Sequence, residues 1–337
     1  CALMCSGGLF VDDVTAHLQN SGMAVYTWDI QRQPPKSLSE TAQRIRPEFA
    51  FAINYFPGIS KACADLEIPL IVWEIDPATD GLAPVGGNTD HVHIHTYRAS
   101  NVARFEAAGF RHVAYTPLAA NTRKRTPCPD GGRMGPEVCF VGASMVDQAM
   151  EFRSLFLDAW VAAHPGDTDA RSHGLTLLNG LLTQQRMQPR TYLIPELMMR
   201  HMADFVTAVE GHLPHDPVAL VGEMAAAERR LTVAARLGGE GLHVWGDPGW
   251  KAAEPHGVVH RGFAGHHQQL TTIYQQGKIH VDINRLYQLD IVPMRVFDIL
   301  ACSGFLIAEH SPALSALFTI GEEVESWSSI DELVEKV

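Results

Sequence analysis

A chain of 337 residues, 46% of them apolar, is long enough for two domains with buried cores, which excludes a disordered or fibrous protein. Its formal net charge of −12, with no run rich in Lys or Arg, repels phosphate backbones and anionic lipid. Nucleic acid and membrane surfaces are therefore poor main partners, while a nucleotide-sized anion held by a few local donors remains compatible.

From the start of the chain, residues 1–10 lack the charged opening of a signal peptide, and the abrupt apolar beginning is consistent with a natural segment ahead of Cys1. Cys5-Ser-Gly-Gly8 fits a first strand-to-helix loop. Gly7 and Gly8 there either let a ligand approach the backbone or are ordinary turn glycines. Asp12–Asn20 has helical apolar spacing, with Gly22 as its stop. Strands are predicted at Phe49–Tyr55, Leu70–Ile75, Val92–Tyr97 and Val113–Thr116, and a helix at Ala99–Ala108, closed by Gly109. Apolar strands alternating with helices indicate βαβ units and a mainly parallel sheet.

In open sheets of this kind the carboxyl ends of strands face the ligand, which makes Asn54, Glu74 and Asp76 candidates for an acceptor or cleft site. A strand end followed by a turn at Pro77 explains Glu74 and Asp76 equally well. His91, His93 and His95 alternate and so share one strand face, but no acidic or Cys/His cluster accompanies them; strand histidines, not a metal site, are expected.

Asn121 to Pro136, rich in Pro, Gly and charge, reads as a break, which sets the boundaries at 1–124 for a first Rossmann-like domain, 125–136 for a linker and 137–337 for a second domain. Strands are predicted there at Val138–Gly142, Leu242–Gly246, Ile279–Ile283 and Phe305–Ala308. Between the first two, Asp147–Leu237 is helical in character, with breaks near Pro165–Ser172, Pro189 and Pro214–Pro217, and is longer than one crossover needs. It reads as a helical insertion. Trp245-Gly-Asp-Pro-Gly-Trp250 is either a wall for a nucleotide base or a packed turn; Gly246 and Asp247 are its candidates.

The segment from Asp282 to Ala308 reads as strand, polar loop, helix, glycine stop and strand. Pro293 suits the first turn of the helix and Gly304 its end. The start of that helix offers unpaired N–H groups and a positive dipole end to a phosphate, with Arg295 adding charge. Asp290 lies in the entering loop and Asp298 inside the helix. On spacing alone they are either ligand-facing carboxylates or a solvated loop residue and a helix-surface charge.

Asp290 and Asp298, separated by seven residues and followed by Ala301-Cys-Ser-Gly304, resemble the acidic motif of retaining GT-B glycosyltransferases. More closely, Ile273–Ile279, Ile283-Asn-Arg285, Met294–Asp298, Gly304–Ile307, Leu317–Val324 and Ser328–Glu335 resemble the spore-maturation CgeB-like glycosyltransferases. Asn54-Tyr55, Ile68–Pro77, Tyr115–Asn121 and Phe140-Val-Gly142 look like the domain that precedes it in that group. The resemblance implies a GT-B fold, two Rossmann-like domains facing across a cleft, the first for the acceptor and the second for the donor.

It also implies retaining transfer of a hexose-like sugar from a nucleotide-diphosphate-sugar donor, without a cofactor, to a glycan, protein or small-molecule acceptor; with no metal-ligating cluster in the sequence, metal-independent transfer is expected. Asp298 matches the position that holds the donor ribose, Asp290 the one nearest the transferred sugar, and Gly142, Ser144, Asn284, Arg285 and Lys278 fall around the donor. Two departures stand out: both acids are Asp where Glu is usual, and Gly142–Gln148 lacks the expected basic pair. The diphosphate then relies on Arg295, Arg285 or Lys278.

A different class fits as well, a GT-B-shaped binding or scaffold protein acting through its helical insertion. A Rossmann oxidoreductase fits less, since no G-x-G-x-x-G follows the first strand. Six cysteines without paired metal spacing suit a reducing cytoplasm, and no apolar run approaches the roughly 18 residues that span a bilayer. A cytoplasmic protein without an integral membrane segment is expected.

Overall fold

The computed structural model describes residues 1–6, 8, 10–30, 32–34, 36–76, 89–128, 134–209, 211–265 and 268–337. It divides into two compact units, residues 1–121 and 122–337.

The first unit is a six-stranded parallel sheet: β1 (Ala2–Cys5), β2 (Val25–Trp28), β3 (Phe49–Ile53), β4 (Leu70–Glu74), β5 (Val92–Thr96) and β6 (His112–Tyr115), in the order β2-β1-β3-β4-β5-β6. Helices α1 (Val11–Asn20), α2 (Lys36–Ile45), α3 (Pro57–Asp65) and α4 (Ala99–Ala107) connect the strands. Parallel strands need both faces covered. Accordingly Leu3, Ala50, Leu70, Val72, Val92 and Ile94 are buried together with Trp28, Phe105 and Phe110. The strand order reverses between β1 and β3, so the loops after these two strands meet at the switch point of the sheet.

The second unit holds β7 (Val138–Val141), β8 (Leu242–Trp245), β9 (Val259–His260), β10 (Ile279–Val281), β11 (Leu306–Glu309) and β12 (Glu325–Trp327), all parallel, in the order β12-β11-β10-β7-β8-β9. Its switch point falls between β7 and β10. Helices α9 (Gln268–Gln276), α10 (Met294–Ala301), α11 (Pro312–Leu317) and α12 (Ile330–Lys336) pack on this sheet. Pro293 stands just ahead of α10, with extended backbone, and not inside its first turn.

Between β7 and β8 run four long helices, α5 (Val146–Ala163), α6 (Ala170–Met187), α7 (Ile194–Val209) and α8 (Pro217–Leu237), with breaks close to the prolines that the sequence singles out. They enclose a core of their own, including Phe156, Trp160, Leu178, Leu181, Met198 and Phe205. Helix α8 belongs to two cores. Its first half gives Leu220, Val221 and Met224 to the helical block, and its second half gives Val233, Ala234 and Leu237 to the sheet. Leu286, in the loop that leaves β10, packs in the helical core too. The block therefore stands at the carboxyl end of the sheet, beside the switch point.

Candidate functional site

The loops at the carboxyl ends of β7, β8 and β10 are locked together by residues that the sequence makes small or acidic. Asp247 accepts hydrogen bonds from the Ser144 N–H (2.5 Å), the Ser144 hydroxyl and the Gly249 N–H (3.0 Å), which ties the β7–α5 loop to the turn after β8. Trp250, fully buried, donates its indole N–H to the Gly142 carbonyl at 2.8 Å. The turn is thus packed, and Trp250 is core, not an exposed wall. Gly142 and Gly246 are required by contact: a Cβ on Gly142 would lie 2.9 Å from the Phe140 ring and 3.0 Å from Arg295 Nη1, and one on Gly246 would lie 2.2 Å from the Gly142 carbonyl oxygen. Gly246→Ala is expected to cost about 3 kcal/mol or more in denaturant unfolding, whereas Gly239→Ala, with open space around it, should stay within about 1 kcal/mol of the parent.

Beside these loops lies a layer of guanidinium groups, those of Arg229 and Arg230 buried and those of Arg285 and Arg295 half-buried. Arg295, second residue of α10, donates through Nε to Asp282 Oδ1, reaches the Ile283 carbonyl at 3.3 Å and sits 5.2 Å from the Phe140 ring centre. Asp282 is only 1% exposed, so this contact is well shielded from water. Arg229 of α8 grips Glu309, at the end of β11, through both terminal nitrogens, and donates to the Asn284 carbonyl at 3.2 Å. The Asn284 N–H donates to Glu309 Oε2 at 3.0 Å. Its neighbour Arg230 donates to the carbonyls of Ala143 (2.6 Å) and Ile283 (3.2 Å), joining the ends of β7 and β10.

Arg285 donates to the Tyr287 hydroxyl at 2.7 Å, and Tyr287 in turn donates to Glu223 of α8. Burial, reinforced by the Glu223 charge and opposed by Arg285, pushes the Tyr287 phenol up, so it stays a donor. Through this contact and Leu286, the helical block touches the β10–α10 loop.

Of the candidates read from sequence, Gly142, Ser144, Gly246, Asp247, Asn284, Arg285 and Arg295 converge on the carboxyl ends of β7, β8 and β10. Lys278 does not. It precedes β10 and pairs with Glu137, which precedes β7, so it lies at the amino ends of these two central strands, opposite to the carboxyl ends where the other candidates gather. Asp290 is exposed in the turn before α10. Asp298 is buried and pairs with Arg125 Nε at 2.9 Å; Arg125 also donates to the Thr271 hydroxyl at 3.0 Å. Arg125, placed by composition in a linker, is thereby fixed against α9 and α10.

Sequence reasoning overlooked Asp282, Glu309, Arg125, Arg229 and Arg230 as parts of the site. Arg230 carried a legible signal: with Ala226, Val233 and Leu237 it follows the helical spacing of a buried stripe. The other partners are distant in sequence and carry none.

In the first unit, Gly7 lies outside the described residues. Gly8 is exposed, and a Cβ there would meet nothing. Asn54, at φ 64°, accepts the Ile75 N–H (2.9 Å) and the Asp76 N–H (3.2 Å) and donates to Asp76 Oδ2 (2.9 Å), which staples the ends of β3 and β4. Glu74 is buried and accepts from Asn101 at 2.9 Å. The histidines have separate partners: His91 meets the Ser60 carbonyl, His93 stacks on His112 with ring centres 4.6 Å apart, and His95 meets the Thr116 hydroxyl. Among the described residues no group of three or more His, Cys, Asp or Glu is placed to hold a metal ion, and no helix is long and apolar enough to cross a membrane.

Residues 225–337, from the middle of α8 to the end of the chain, match the family described as glycosyl transferase-like. The chain also superposes on a glycosyltransferase from Rickettsia africae with a TM-score of 0.51, at 8% identity, covering 99% of this chain and 86% of that one. The fold is of the GT-B glycosyltransferase type. Weaker superpositions are with the apo form of the lipopolysaccharide outer core galactosyltransferase WaaB (TM-score 0.45, 10% identity, 99% and 88% covered) and the MurG of Acinetobacter baumannii (0.39, 9%, 92% and 78%). No curated protein matches the sequence. The glycosyl transferase-like region of the GT-B fold takes in Arg229, Arg230, Asp282, Arg295 and Glu309, hence most of the charged layer at the switch point.

Proposed function

We propose that the chain is a glycosyltransferase of the CgeB-like kind that moves a sugar from a nucleotide-diphosphate donor to an acceptor. The observation that carries this reading is the guanidinium layer at the β7/β10 switch point, inside the glycosyl transferase-like region and next to the start of α10. Open α/β sheets bind ligands at such points, and helix N-termini favour phosphate. Departure of a nucleoside diphosphate develops negative charge, which fixed cations and N–H groups stabilise. Those cations belong to the chain itself, and on that ground the transfer is read as needing no protein-bound metal.

The resemblance around Asp290 and Asp298 supports retention of configuration, with Asp290 nearest the sugar and Asp298 toward the ribose. The first unit would receive the acceptor at the strand ends marked by Asn54, Glu74 and Asp76, and the cytoplasm is the proposed setting. Nucleotide release from a panel of UDP- and GDP-sugars, in the presence of mixed acceptors, tests the reading. Asp298→Ala should weaken UDP or GDP binding about tenfold in calorimetry; undiminished binding would remove Asp298 from the donor site.

One observation favours a second reading, a binding protein without turnover: Asp298 and Arg295 already have internal partners in Arg125 and Asp282. Nucleotide release that depends on Asp290 and Arg295 would eliminate it.

A further inference from the structure

Four guanidinium groups meet at the β7/β10 switch point, and three of them face a carboxylate: Arg229 has Glu309, Arg295 has Asp282 and Arg285 has Glu223. Arg230 differs. Among the described residues no carboxylate reaches it within ion-pair distance, and its Nε has no hydrogen-bond partner. It is 3% exposed and held by the Ala143 and Ile283 carbonyls. Its guanidinium carbon lies 5.8 Å from the centre of the Phe140 ring, the ring that Arg295 also approaches. Burial, then the charges of Arg295 and Arg285, lower its pKa to about 9, against the pull of Asp282 and Tyr287, so it is still a cation at neutral pH.

A buried charge without a counter-ion costs free energy that the fold must offset elsewhere. The cost is recovered when an anion settles within range. The place for one is given by the geometry: Arg230 lies directly under the Ala143 peptide of the β7–α5 loop, and the Ile283 carbonyl that it shares with Arg295 links it to the start of α10.

We infer that Arg230 is a positioning residue for the donor diphosphate: it supplies, from beneath the β7–α5 loop, the fixed positive charge whose counter-ion is the ligand, in place of the basic pair that the loop itself lacks. This inference rests on the proposed donor site. Arg230 acts through the loop and through space, without touching the phosphates, and it comes from α8, so the helical block and the anion site share one element.

Inorganic pyrophosphate is the probe. Titrated calorimetrically into the full chain, it should bind the parent, bind Arg230→Gln at least about tenfold more weakly, and bind Arg230→Lys within about threefold of the parent. Rescue by lysine separates charge from mere packing. Equal affinity in parent and Arg230→Gln would overturn the inference and leave the proposed function standing. Should Arg230→Gln fail to fold, Arg230→Lys decides alone: retained affinity supports the charge role, and a tenfold loss in a folded lysine variant refutes it. A parent that binds neither pyrophosphate nor UDP nor GDP would instead sink the donor site, and this inference with it.

Discussion

Glu309→Ala is expected to lower the unfolding free energy by about 3–5 kcal/mol in urea or guanidinium titration, because it leaves Arg229 buried and unpaired while freeing the Asn284 N–H. The double change Arg229→Met with Glu309→Leu should come much closer to the parent, since a buried ion pair exchanged for apolar groups of similar volume is often neutral. Burial raises the Glu309 pKa despite Arg229 and the Asn284 N–H. A carboxyl whose folded pKa is raised contributes stability that is fully present below its unfolded value and is lost as pH climbs through the folded one. In Arg229→Met, where the counter-charge is gone, the deficit relative to the parent should therefore shrink as the pH is lowered and Glu309 takes up a proton. A deficit that widens toward acid would contradict this account of the pair.

Arg295→Ala carries the largest expected loss of activity. If the guanidinium stabilises the departing diphosphate, transfer should fall by about 10²–10³-fold in kcat, with the acceptor KM little changed. The same change removes the ion-pair partner of the buried Asp282, so unfolding must be followed in parallel and rates normalised to folded protein. Arg295→Lys keeps a charge but loses the contacts to the Ile283 carbonyl and the Phe140 face, and should recover only part of the rate. Full activity in folded Arg295→Ala would take Arg295 out of the chemistry.

Much of the architecture was legible because the strands that build the two sheets are short apolar runs such as Phe49–Ile53, Leu70–Glu74 and Val138–Val141, and the breaks in the helical stretch carry prolines. Val25–Trp28, Val259–His260 and Glu325–Trp327 were not, since they lie at sheet edges and are short, half exposed or polar.

The site was legible as residue types, not as pairings. Lys278 looked close to the donor because it stands four residues before Asp282, yet along a strand that interval is about 13 Å and leads to the amino end of the strand. Asp298 and Arg125, or Arg229 and Glu309, meet through topology alone. Nothing in either local sequence names its partner.

Helix α8, 21 residues and about 31 Å long, is at once the last helix of the block and the return path to β8. Its place in both cores means that the block is no removable ornament. Trimming the chain from α5 to the end of α8 would delete Arg230, which braces β7 and β10, and Arg229, which ties the loop after β10 to the end of β11, and trimming only α5–α7 would leave the first half of α8, with Leu220, Val221 and Met224, bare to water. Minimal versions of this scaffold, and chimaeras that graft its sheet onto another domain, have to carry all four helices as one cassette.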